Sequence, residues 1–315
     1  MTDPADRLIN RIRQSSAPLP ILPLPDLPPD LEARSFDASP GAPSLGGIQA
    51  VLFDVYGTLF ISAAGDISLA AKEPGSLAGD AGANPALHQS LDNLAGEYGL
   101  SAETLRDYFQ GEVLKRHGKL GFKEKLPVKT AYPELRVEEL WADFLKQRSD
   151  SVTTMDDSRE LALRYELAVN PVYPMPGAEE TLGILRDRGM LLGLISNAQF
   201  FTPLLFETFF NATPEALGFD PELLIYSYEL GEAKPSPALF TPAVRRLEAL
   251  GLKPENALYV GNDMLNDIFA AAQAGFKTVL FAGDRRSLRL REGDAQVQGV
   301  RPDRVIRDLR EVRLL

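Results

Sequence analysis

The stretch Ile48-Gln49-Ala50-Val51-Leu52-Phe53-Asp54-Val55-Tyr56-Gly57-Thr58-Leu59 decides the fold. Its first six residues form a short, mostly apolar run closed by a glycine turn, the pattern of a strand buried on both faces. Asp54 ends that run. In an open α/β sheet, ligands bind beyond the carboxyl ends of the strands, so a carboxylate at that place faces a site rather than the core.

Downstream, the same theme recurs in Leu191–Ile195, Leu223–Tyr226, Ala257–Val260 and Thr278–Phe281. Helical patterns over Ala178–Arg188, Ala238–Leu250 and Ile268–Ala274 separate these runs. Strands alternating with helices predict a parallel, Rossmann-like sheet with crossover helices on its faces, an α/β fold. Residues 62 to 170 break the alternation. There Pro85–Tyr98, Ser101–Arg116 and Val137–Arg148 carry apolar residues at three-and-four spacing, which predicts a helical insert directly after the first strand. Leu140, Trp141 and Phe144 belong to its core. The expected organisation is an arm over 1–47, an α/β core over 48–61 and 171–315, and the insert over 62–170.

Four elements carry chemistry, and three of them end predicted strands. Asp54 is followed by Tyr56 and Thr58. Ser196-Asn197 closes the second strand with a hydroxyl and an amide, suited to an oxyanion. Lys234 sits between Gly231 and two prolines, which restrict its backbone and let its side chain be aimed. Gly261-Asn262-Asp263-Met-Leu-Asn266-Asp267 puts two acids at a strand-to-helix junction, able to gather a hard cation or to cap the helix.

In that order the four elements resemble the haloacid dehalogenase-like superfamily. The resemblance runs from residue 48 to about 285 and includes Lys234-Pro-Ser-Pro237 and Gly177-Ala-Glu-Glu-Thr-Leu. It implies a Rossmann-like core with an α-helical cap and a hydrolase using Asp54 as nucleophile through a covalent aspartyl intermediate. Ser196, with Thr58 and Asn197, would hold the transferring group, and Lys234 would neutralise charge beside Asp54. Mg2+ would be bound by Asp54, the Tyr56 carbonyl, Asp263 and Asp267. Family phosphatases carry a second aspartate where this chain has Tyr56. A phenol with a pKa near ~10 is a poor acid–base substitute, which favours a phosphate with a good leaving group, such as an acyl phosphate. Asp54-Val-Tyr56-Gly-Thr58 also looks like the opening of the metal-independent 2-haloacid dehalogenases, the rival reading. A third is a non-catalytic scaffold binding partners through its arm.

Composition limits the partners. A net charge of −11 argues against nucleic acid as a partner, because a duplex-binding surface must supply lysine and arginine to displace counterions. No apolar run reaches the roughly 20 residues that cross a bilayer, and no secretory pattern opens the chain. With no cysteine, there is no thiolate nucleophile or disulfide. These features lead to the expectation of a cytoplasmic protein acting on a small anionic substrate, with a homodimer compatible. Nine of the 24 prolines fall before residue 48, favouring extended backbone in the arm. Lys115-Arg116-His117-Gly-Lys119, continued by Lys123, Lys125 and Lys129, is a local basic excess suited to an anionic substrate or to a solvated surface.

Overall fold

A computed structural model describes residues 3–24, 26–35, 45–64, 85–120, 132–148 and 152–314. Its centre is a six-stranded sheet of order β5-β4-β1-β6-β7-β8, with every neighbouring pair parallel. The strands are β1 (Ala50–Phe53), β4 (Leu191–Ser196), β5 (Phe219–Tyr226), β6 (Ala257–Gly261), β7 (Lys277–Phe281) and β8 (Arg304–Ile306). All four residues of β1 and all five of β6 are buried, as central strands covered on both faces must be. Leu52, Ile195 and Tyr259 pack on one face with Phe240 and Leu247, whereas Phe53, Leu194 and Val260 pack on the other with Phe206 and with Leu182 of helix α7 (Ala178–Asp187).

Two short strands, β2 (Phe60–Ser62) and β3 (Val172–Pro174), pair antiparallel where the chain leaves and re-enters the core. The buried Asn170 side chain joins this stem by accepting from Ser62 Oγ at 2.8 Å and from Ala64 N at 2.9 Å. Between them, among the described residues, lie four helices, α3 (Pro85–Gly96), α4 (Ala102–Leu120), α5 (Val137–Arg148) and α6 (Met155–Val169). Trp141 and Phe144 are fully buried, and Trp141 stacks on Phe109 and tilts against Tyr165, in an apolar cluster continuous with the Phe53 face of the sheet. Of the basic stretch, Lys115 pairs with Glu112 and Arg116 with Asp143. The Lys119 side chain and Lys123, Lys125 and Lys129 lie outside the described residues.

The arm lies against the molecule. Its first helix, α1 (Pro4–Ser15), buries Ile12 and packs against α6 of the insert and α8 (Thr202–Phe210) of the core. Arg11 Nε meets Glu160 of α6 at 2.9 Å. Farther along, Leu27 and Leu31 join Met264, Ile268 and Leu280 in a separate apolar cluster. Among the described residues, no helix is long and apolar enough to cross a membrane.

Candidate active site

Parallel strands point all their carboxyl ends to one edge, and that edge gathers the polar residues singled out above. Asp54 follows β1 and continues its ladder, its amide donating to Val260 O of β6 at 2.9 Å. The turn then reverses at Gly57, whose φ is +84°. A Cβ there would lie 2.5 Å from Ser287 Cβ, so only glycine allows this close approach.

Asp54 Oδ1 is 2.9 Å from Ser196 Oγ at the end of β4 and 2.8 Å from Lys234 Nζ. The ammonium also donates to Asp267 Oδ1 at 2.6 Å and to Tyr259 OH at 3.1 Å, giving each of its three protons an acceptor. Burial alone would push Lys234 toward its neutral form; Asp267 and Asp54 outweigh that and hold its pKa well above the ordinary lysine range. Tyr259 is fully buried and its hydroxyl donates to Ile195 O at 2.6 Å. The loop carrying Lys234 is braced by Asn197, whose Oδ1 accepts from Lys234 N at 2.7 Å.

Asp54, Tyr56, Asn197, Lys234, Asp263 and Asp267 line one cleft. Two of the expected site residues, Thr58 and Asp267, make contacts other than those expected of them. Thr58 is wholly buried and donates to Asn262 Oδ1 at 3.0 Å, so its hydroxyl braces the turn behind the cleft. Asp267, expected beside a cation, spends Oδ1 on Lys234 and Oδ2 on the Asp263 amide at 2.9 Å. Its position one turn along the helix aims it back at the sheet, where the buried ammonium is the strongest available partner. The phenol of Tyr56 is buried 2.9 Å from Thr202 Oγ1 of α8.

Asp263 opens a π-helical turn over Met264–Phe269, a local widening often found at functional sites. Its Oδ1 caps Leu265 N and Asn266 N at 2.8 and 3.1 Å. Arg291 reaches its Oδ2, with Nη2 at 2.6 Å. Among the described residues, no three acidic or imidazole side chains form a ready-made metal cluster. Asp54, Asp263 and the Tyr56 carbonyl, whose residues line the same cleft, are the oxygen donors that could hold a hard cation.

Residues 48–275 match the haloacid dehalogenase-like hydrolase family. The chain belongs to the haloacid dehalogenase-like hydrolases. This hydrolase is 32% identical over 197 residues to the phosphoserine phosphatase of Thermus thermophilus, a match covering 60% of this chain and 72% of the relative. It is 36% identical over 116 residues to the phosphoglycolate phosphatase of Aquifex aeolicus, covering 35% of this chain and 49% of that one. The chain thus spans about half the length of that second relative. A solved phosphatase of the same superfamily from Thermococcus onnurineus superposes with a TM-score of 0.49 at 23% identity, over 85% of this chain and 97% of that one.

Tyr259 and Arg291 were not visible as site residues. Tyr259 reads as an ordinary strand aromatic, and Arg291 is one of several arginines in an aperiodic loop. Gly261 offers a direct test of the Asp267–Lys234 contact, because a Cβ there would lie 2.3 Å from Asp267 Cγ. Gly261→Ala is expected to displace that carboxylate and lower turnover about a hundredfold, measured as kcat on protein whose circular dichroism matches the parent.

Proposed function

We propose that this hydrolase is a Mg2+-dependent phosphohydrolase of small phosphorylated metabolites, with Asp54 as nucleophile. The observation that carries the reading is the placement of Lys234 Nζ and Ser196 Oγ on the Asp54 carboxylate, at a cleft that Asp263 also lines. The phosphatase names of the curated relatives support it. An anionic phosphoryl group is repelled by a carboxylate, so attack requires fixed positive charge at the reacting oxygens. Lys234, held cationic by Asp267, supplies part of it. Asp54, Asp263 and the carbonyl of Tyr56 would hold Mg2+, which when bound adds Lewis-acid charge toward the phosphoryl oxygens.

In the reaction, the Asp54 carboxylate forms a bond to phosphorus as the bond to the leaving oxygen breaks; water then cleaves the aspartyl phosphate and frees Asp54 and phosphate. Ser196 and Lys234 orient the carboxylate and the transferring group. Tyr56 is a poor proton donor to the leaving oxygen, since its phenol is engaged with Thr202 inside the core. Substrates whose leaving group departs without a proton, acyl phosphates among them, therefore suit the site best. The insert between β2 and β3 would act as the cap that selects substrate and excludes water.

One observation favours a second reading. The engaged Tyr56 side chain, in place of a second aspartate, also suits 2-haloacid dehalogenation, in which halide leaves unprotonated. Phosphate and halide release, each assayed with Mg2+ and with chelator, separate the two. Phosphate release lost with chelator and restored by Mg2+ is the expected result. Halide release from 2-haloacids that persists in chelator would replace the phosphatase reading with the dehalogenase one.

A further inference from the structure

We propose that Arg291 is a resident counter-ion of Asp263 that a divalent cation must displace, so that this side chain sets the metal affinity of the cleft. The inference rests on the metal-dependent reading above and goes beyond it, because it assigns a role to a residue outside the four motif elements. Arg291 Nε lies 3.2 and 3.1 Å from the two Asp263 oxygens, and Nη2 lies 2.6 Å from Oδ2. Both side chains are largely shielded from water, at 16% and 6% exposure, so their attraction is weakly screened.

The contact is built into the backbone. Arg291 has φ +54°, a left-handed conformation uncommon for a residue with a side chain. The residues leading to it are fastened to the acidic turn, with Arg289 N donating to Asn262 O at 3.0 Å and Met264 N to Arg289 O at 2.8 Å. Upstream, Asp284 holds Arg286, and the arm adds a clasp through Arg285 N to Leu22 O at 3.2 Å and Arg286 to the Pro20 carbonyl. The guanidinium is therefore delivered to Asp263 by a loop whose preceding residues are anchored to the arm and to the acidic turn.

Charge explains the consequence. Asp54, Asp263 and Asp267 bring three carboxylates to one cleft, and Lys234 touches only two of them. Arg291 supplies cationic charge at the third. An incoming dication competes with it for the same oxygens, and removing the competitor makes the cleft more negative and its Asp263 oxygens more available. A purely structural role for Arg291 predicts the opposite sign, since losing a brace loosens the turn and weakens metal binding.

The test measures Mn2+ binding to the full chain by calorimetry, with Mn2+ as the probe ion. Arg291→Gln is expected to bind Mn2+ about tenfold more tightly than the parent. Arg291→Lys, which keeps the charge but loses the fork, should gain less and serves if the glutamine variant does not fold. Arg289→Gln, whose side-chain hydrogen bonds among the described residues go to the Arg286 and Leu288 carbonyls, should leave affinity unchanged. In an Asp263→Asn background the gain from Arg291→Gln should vanish. Equal or weaker binding by Arg291→Gln, binding by neither protein, or a gain that survives Asp263→Asn would overturn the inference. A parent that binds Mn2+ but releases no phosphate would remove the phosphatase reading and leave this comparison standing.

Discussion

Asp54→Asn is expected to cut turnover by at least about 10⁴-fold while leaving the fold intact. The amide has nearly the same shape as the carboxylate, and its oxygen can still accept from Ser196 Oγ and Lys234 Nζ, which lie 2.9 and 2.8 Å from Oδ1 in the parent. Lys234 also keeps Asp267, so the buried ammonium retains an anion. What the variant lacks is a nucleophilic oxygen with negative charge. The experiment pairs initial-rate phosphate release at saturating Mg2+ with a thermal melt. A variant that keeps activity within tenfold of the parent would remove Asp54 from the chemistry.

Lys234→Met, the second prediction, should strike both stability and activity. It leaves Asp54 and Asp267, which are 9% and 1% exposed in their side chains, without the cation between them. Breaking a buried ion pair from one side costs ~3–5 kcal/mol, because the abandoned charge stays desolvated. Turnover should also fall by about 10²- to 10³-fold, the usual loss when one fixed positive group leaves a site where charge develops. Adding Asp267→Asn should restore part of the stability but none of the activity, which separates the two effects. The pH dependence follows from the elevated pKa of Lys234. A cation whose folded-state pKa is raised contributes its stabilisation fully below the ordinary lysine value of ~10.4 and loses it as pH rises through the higher folded value. The parent's margin over Lys234→Met should therefore hold through neutral pH and shrink only in the alkaline range, as read by denaturant unfolding.

The alternation of buried apolar runs with helical patterns was legible because periodicity and strand length are local properties. Val137–Arg148 was read with the bounds it has in the fold. The strands β2 and β3 were not, for each has three residues and exists only because the other lies beside it. Helix α6 and helix α8 also carry no clear local signal. Phe209 and Phe210 of α8 close against Phe60, so an uneven apolar pattern is resolved by the neighbouring β2 strand. The arm read as proline-rich, extended backbone; only packing showed α1 resting on insert and core together.

By itself the sequence determined that Asp54, Ser196 and the acidic turn would share one edge, since a strand's carboxyl end is a position along the chain and parallel pairing aligns such ends. It also located Lys234 on a restrained loop. Only the tertiary structure decided which charge answers which: Asp267 turns to Lys234, Asp263 to Arg291, Tyr56 to Thr202. The reason is physical. A buried charge or hydroxyl takes the partner that burial leaves within about 3 Å of it. That choice depends on distances between segments far apart in the chain, about which local pattern is silent.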